Sequence, residues 1–268
     1  LNSNRDRKSI LITNDDGFEA DGLKALVEVL KPIADITVVA PATEKSACAH
    51  SVTLKEPLRL IEVEKDFYKV DDGTPSDCVY ISREVIFRDN MPDLIISGIN
   101  EGSNMGEDIT YSGTVAGAME GVLQGVPSIA ISQVIGAQNR KNLNFTVAQR
   151  VIKKVVEKFF EGDFPLEDRE LLNINVPPKG DETKVAITYA GYRIYGNDTH
   201  IYHSPRGERL YWLGLHPLEW TKREVGAEFK HRHSDFDAVD SGITSITPIK
   251  LDLTAYERIE KMEKWFNE

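Results

Sequence analysis

Short apolar runs alternate with amphipathic stretches through the first half of the chain. Ile10 to Thr13 and Ile36 to Ala40 have the length and β-branched character of buried strands, while Gly22 to Leu30 between them spaces its apolar residues as a helix does. Further strands are predicted at Phe67 to Val70, Asp93 to Ser97 and Ser128 to Ser132. Helices are predicted at Ser76 to Phe87, Gly113 to Gln124 and Phe145 to Phe160. This alternation is the pattern of βαβ units and therefore of an α/β fold built on a parallel sheet. Asp21 is expected to cap the first helix, with Pro32 just past its end.

Past about Asp163 the pattern changes. Leu171 to Val176 and Val185 to Tyr189 still have strand character, but Gly191, Gly196, Gly207 and Gly214 break the next segment into hairpin-like pieces. The stretch from Tyr192 to His233 is polar and aromatic, with His200, His203, His216, Trp212 and Trp220. It is expected to leave the core and serve assembly. A strand at Ile243 to Thr247 and a helix at Thr254 to Phe266 close the chain.

Composition adds bounds. The chain has 268 residues, enough to bury a sizeable core. No apolar stretch approaches the roughly 18 residues that cross a bilayer, and Asn2 to Lys8 are too polar for a signal peptide, so a cytoplasmic protein without a membrane partner is expected. The two cysteines, Cys48 and Cys78, agree with a reducing compartment, and neither has zinc-ligand spacing. A net charge of −11 argues against a surface for nucleic-acid polymers, which needs a basic stripe.

Candidate chemistry gathers at the ends of the strands. In an open parallel sheet, ligands bind beyond the carboxyl ends, where loops and helix starts face one crevice. The first strand ends at the adjacent carboxylates Asp15 and Asp16, between Asn14 and Gly17. Like charges repel and burial raises the cost of ionising them, so a cation is expected beside them. An Asp-Gly turn is the structural alternative. The second strand leads into a polar loop with Thr43, Glu44, Lys45, Ser46, His50 and Ser51, and the strand from Asp93 leads to Asn100, Glu101 and Asn104. Asp15, Asp16, Ser46 and Asn100 are an oxygen set suited to a hard divalent cation such as Mg²⁺. Tyr111 to Ala118 has the features of a helix start, with Ser112 as cap and small residues in the first turn, and such a terminus presents free N–H groups to a phosphate. Tight helix packing explains the small residues equally well.

Other phosphate devices are absent from the sequence. There is no Gly-Lys-Ser or Gly-Lys-Thr phosphate loop, no dinucleotide fingerprint after the first strand, and no Gly-x-Ser-x-Gly elbow. An NAD-dependent dehydrogenase and a serine hydrolase are thereby disfavoured.

The segments Ile12 to Gly17 (ITNDDG), Val38 to Pro41 (VVAP), Asp72 to Val79 (DGTPSDCV), Asp93 to Asn100 (DLIISGIN), Gly102 to Gly106 (GSNMG), Tyr111 to Gly121 (YSGTVAGAMEG) and Ile243 to Thr254 (ITSITPIKLDLT) resemble the SurE-type survival proteins, metal-dependent 5′/3′-nucleotidases. The resemblance covers nearly the whole chain in the family's order. It implies one domain: a Rossmann-like, mostly parallel core with helices on both faces, roughly 8–190 plus 235–253. An extension of hairpins at 191–234 and a final helix at 254–268 would exchange between subunits to give a homodimer or homotetramer. It places the metal, Mg²⁺ or Mn²⁺, one per subunit, on Asp15, Asp16, Ser46 and Asn100. It places phosphate contacts near Asn104 and on Ser112, Gly113 and Thr114. A departure is Ala47, where many relatives carry Gly.

The expected activity is hydrolysis of nucleoside 5′-monophosphates, with 3′-monophosphates and short polyphosphate as further substrates. Asp15 and Asp16 are the catalytic residues, and either is able to deprotonate water in place of a purely metal-holding role. The Asp-x-Asp pattern of a covalent aspartyl-phosphate mechanism is missing. A nucleotide or phosphate sensor that binds without hydrolysing is the rival reading, and an interaction scaffold is a third. His50 sits in the Ser46 loop, within range of the crevice, although a lone loop histidine is more often solvated than catalytic, and Arg206 reads as a turn-flanking surface charge with an anion contact as the alternative.

Overall fold

A computed structural model of the protein describes residues 7–136, 143–195, 198–214, 217–221 and 223–268. Gly196, His216 and the polar leader Asn2 to Asp6 lie outside them. The chain runs through β1 (Ser9–Thr13), α1 (Asp21–Leu30), β2 (Asp35–Pro41), β3 (Arg59–Glu64), β4 (Phe67–Asp71), α2 (Pro75–Ile81), β5 (Leu94–Glu101), α3 (Gly113–Leu123), β6 (Ser128–Gln133), α4 (Thr146–Glu161) and β7 (Glu170–Val176). It continues through β8 (Val185–Ile187), β9 (Tyr192–Tyr195), β10 (Asp198–His203), β11 (Arg209–Gly214), β12 (Pro217–Thr221), α5 (Asp235–Asp240), β13 (Thr244–Lys250) and α6 (Ile259–Asn267). The central sheet has the order β3-β4-β2-β1-β5-β6-β7-β13-β8. Its pairings are parallel except β3 with β4 and β13 with β7. The expected α/β fold is the observed one.

Alternation along β1 builds the layers. Ile10 and Ile12 pack with Leu23, Leu26 and Leu30 of α1 and with Val151 and Val156 of α4 on one face. Leu11 between them packs with Cys78 and Val79 of α2 on the other. α3 joins that second layer through Val115, Ala118 and Val122, packed on Ala130 and Leu171. β1 lies between β2 and β5, so the chain fills one side of it and then crosses to the other. That reversal leaves a crevice at the carboxyl ends of β1 and β5.

Several expectations need correction. Ala20, not Asp21, is the N-cap of α1, and no side chain caps it; Asp21 is the first helical residue, where its charge still complements the helix dipole. The helix predicted from Ser76 to Phe87 is α-helical only to Ile81, and Ser82–Ile86 form a π-helical turn. Its start is fixed by Thr74, which accepts a bond from the Asp77 N–H while the Asp77 carboxylate accepts from the Thr74 N–H. β5 does not stop at Ser97 but carries Asn100 and Glu101 as strand residues, with a pairing irregularity between Ser97 and Asn100. β3 has no counterpart among the predicted strands. The final helix begins as a 3₁₀ turn at Tyr256–Arg258.

The extension contains two antiparallel ribbons, β10 with β11 and β12 with β9, the hairpin-like pieces expected there. Gly207, between β10 and β11, has φ 84°, which suits glycine. Among the described residues no helix is long and apolar enough to cross a membrane.

Candidate active site

The end of β1 is held in shape by short-range bonds. The Asn14 amide donates to the Gly17 carbonyl at 2.9 Å, and Gly17 has φ 102°. The Lys45 N–H donates to the Asp15 carbonyl at 2.7 Å, which ties the Ser46 loop to the carboxylate pair. Farther along that loop, the Thr53 N–H and hydroxyl both donate to Asp77, and Thr74 donates to the Ser51 carbonyl.

Asp15 is buried and takes a short hydrogen bond from the Thr114 hydroxyl. Burial pushes its carboxyl above the ordinary range, against the bonds from Thr114. Asp16 accepts from the Glu101 N–H at 3.0 Å, and burial, followed by the charge of Asp15, pushes it to about 7. Gly113 is where α3 meets this pair. A Cβ there would lie 2.8 Å from Asp15 Cβ and 2.7 Å from Cys48 Sγ, so only glycine fits.

Asp15, Asp16, Ser46, Asn100, Asn104 and Ser112 line one cavity of about 600 Å³, joined by Glu44, Glu101, Asp108, Tyr111 and Ile135. Gly113 and Thr114, which follow Ser112 directly, are not among the lining residues. Thr114 spends its hydroxyl on Asp15, and Ser112 accepts the Val115 N–H as the N-cap of α3. Asn104 is clamped by a polar layer. Its N–H donates to Asn175 Oδ1, its carbonyl accepts from the Asn173 and Asn175 amides, and its own amide donates to Ser132. One further amide hydrogen of Asn104 is left for a ligand.

The lining suits a hard cation. It holds five carboxylates and no lysine or arginine, and among the described residues neither Asp15 nor Asp16 has an ion pair. Buried carboxylates in that setting resist ionisation until a positive charge arrives. No group of three His, Cys, Asp or Glu gathers as a metal cluster among the described residues. A cation here would therefore take two carboxylates and draw its other ligands from neutral oxygens, a magnesium- or manganese-type set and not a zinc one. Asn100 fits that requirement, since its nitrogen donates to the Gly102 carbonyl and its oxygen is the other end of the amide. Ser46 donates to Glu44 Oε1 at 2.6 Å, which keeps the hydroxyl's lone pairs for a cation.

The family described as Survival protein SurE matches residues 10–197. The chain belongs to the SurE family. Relatives include proteins named 5′-nucleotidase SurE from Sulfurimonas denitrificans, 57% identical over 97% of this chain and 99% of the relative, and from Helicobacter hepaticus, 53% identical over 96% and 98%. The crystal structure of the SurE protein from Aquifex aeolicus superposes with a TM-score of 0.78 at 38% identity, covering 97% of this chain and all of that one.

Sequence reasoning about this SurE-family chain set Glu44, Glu101 and Tyr111 on segments facing the crevice without giving them a role, and missed Asp108. Asp108 sits in the 3₁₀ turn Gly106–Thr110, which no periodicity marks. His50 turns away from the cavity and pairs with Glu120 on α3, 3.0 Å apart. Arg206 is exposed in the hairpin turn, as expected.

Proposed function

We propose that this SurE-family protein is a divalent-metal-dependent 5′-nucleotidase. It hydrolyses nucleoside 5′-monophosphates to nucleoside and phosphate, with Mg²⁺ or Mn²⁺ held, one per subunit, by Asp15, Asp16, Ser46 and Asn100. The observation that carries the reading is the side-by-side pair of carboxylates in an acidic cavity beside the start of α3. The curated names of relatives at 50–57% identity support hydrolysis over the sensor reading.

Asp15, fixed by Thr114, is the rigid member of the pair. Asp16 is the more open to the cavity and is the one placed to take or give a proton. When bound, a divalent cation supplies positive charge against the phosphate oxygens and acidifies water. The Gly113 N–H at the start of α3, with the Thr114 and Val115 N–H groups spent on Asp15 and Ser112, and the Asn104 amide orient the phosphate. Exclusion of water is limited, because the cavity is open to solvent at Tyr111, a half-exposed side chain.

Assembly through the extension fits the same reading. Ile201, Tyr202, Leu210, Tyr211, Trp212 and Leu213 on the β10–β11 ribbon and Met262, Trp265 and Phe266 on α6 are exposed apolar residues on a single chain. A homodimer or homotetramer would cover them, and light scattering at micromolar concentration tests it. Cys48 and Cys78 are free thiols, in keeping with a cytoplasmic setting.

The activity is tested by phosphate release from a panel of 5′- and 3′-monophosphates and short polyphosphate, with each metal. Turnover that disappears in EDTA and returns with Mg²⁺ or Mn²⁺ is expected. Full activity in metal-stripped protein, or near-normal activity in both D15N and D16N, would overturn the reading.

A further inference from the structure

The cavity has an acidic wall that the metal site does not explain. Asp108 lines it from the 3₁₀ turn Gly106–Thr110, between Asn104 and the start of α3. A phosphate dianion entering beside Asp108 meets repulsion unless that charge is balanced. The balance comes from the base of the extension. Arg193 on β9 is nearly buried and sends Nη2 and Nε to Asp108 Oδ2 at 2.6 and 3.1 Å.

The contact is anchored on every side. The Arg193 N–H donates to Glu107 at 2.6 Å, and its guanidinium lies 4.3 Å from the centroid of the Phe236 ring. Phe236 stacks on Trp220 of β12, and Asp235 accepts the N–H groups of Gly106 and Gly191. Asp235 therefore bonds the segment that carries Arg193 to the turn that carries Asp108. Arg223 adds an ion pair to Glu107 at 3.6 Å.

We infer that Arg193 is a positioning residue of the nucleotide site, which offsets the charge of Asp108 and fixes the turn leading into Ser112 and Gly113. The inference rests on the nucleotidase reading. It makes the extension part of the active site and not only a device for assembly.

KM and kcat for a nucleoside 5′-monophosphate and for 4-nitrophenyl phosphate, measured for wild type, R193M, D108N and R193M/D108N with saturating Mn²⁺, test it. R193M is expected to raise KM for both substrates by roughly five- to tenfold, the scale of one charge in a partly screened site, with kcat within about twofold. Added salt should shrink the rise. D108N in the R193M background should bring KM back to within about twofold of wild type, which a purely structural role for Arg193 would not do. Where R193M fails to fold, R193Q, which keeps a donor without the charge, carries the same expectation. An unchanged KM in the charge-removing variant, or no recovery in the double variant, overturns the inference. Wild-type protein inactive on both substrates overturns the nucleotidase reading itself.

Discussion

Replacing Asp16 by Asn should make the metal-free protein more stable while destroying its activity. The fold raises the Asp16 carboxyl from 3.8 to about 7, chiefly by burial and then by the charge of Asp15. At about 1.4 kcal/mol per tenfold change in proton affinity, an ionised Asp16 costs the metal-free fold about 4 kcal/mol. Part of its surface stays in water, and screening reduces this to about 2 kcal/mol. The sign follows from linkage. The unfolded chain loses this proton near 3.8 and the folded one near 7, so stability falls as pH rises between those values and is level above them. D16N removes the penalty and keeps an oxygen to accept the Glu101 N–H. Thermal melts in EDTA at pH 8 should show D16N about 4–8 °C above wild type, and a smaller gain at pH 5. Saturating Mn²⁺ should raise the wild-type midpoint at pH 8 and leave D16N nearly unmoved. A D16N gain of equal size at both pH values, or none at pH 8, refutes the electrostatic account.

Other substitutions probe the same geometry. G113A places a Cβ against Asp15 and Cys48, and should cost about 1–3 kcal/mol in urea melts and lower kcat/KM at least roughly 100-fold; activity within a fewfold of wild type would mean that the Asp15 backing tolerates displacement. T114V removes the hydroxyl bond to Asp15 and should lower kcat/KM roughly 10- to 100-fold, with T114S restoring most of it; equal losses in both variants would point to packing instead of hydrogen bonding. Ala47 sits in the left-handed region at φ 55°, so A47G should relieve about 1 kcal/mol of strain against a similar gain in unfolded-chain freedom, leaving the melting temperature within about 2 °C of wild type. A large loss there would show that the Ala47 methyl group packs in the loop.

Much of the site was legible because it lies at the ends of strands. The run Ile10 to Thr13 marks a buried β1, and the rule that ligands gather beyond strand ends then singles out Asp15 and Asp16 without knowledge of the fold. Ser46 and Asn100 follow by the same rule, although Asn100 is on the strand itself. β3 escaped because Arg59 to Glu64 lies on the sheet edge, largely exposed, with a shifted register opposite β4, so no strict alternation records it.

Local periodicity set which segments are strands or helices, which faces are apolar and which polar groups stand at strand ends, because those signals are written within a few residues of one another. Partners are another matter. Thr114 reaches Asp15 across 99 positions of sequence, and Glu101 reaches Asp16 across 85. Arg193 reaches Asp108 across another 85, from a segment whose own pattern marked only hairpins. Those contacts exist because β5 pairs beside β1, α3 starts against their ends, and Asp235 docks the base of the extension on the Gly106 turn. Sequence by itself determined the carboxylates and the edge of the crevice; only the tertiary structure decided which bonds hold them and which charges face them.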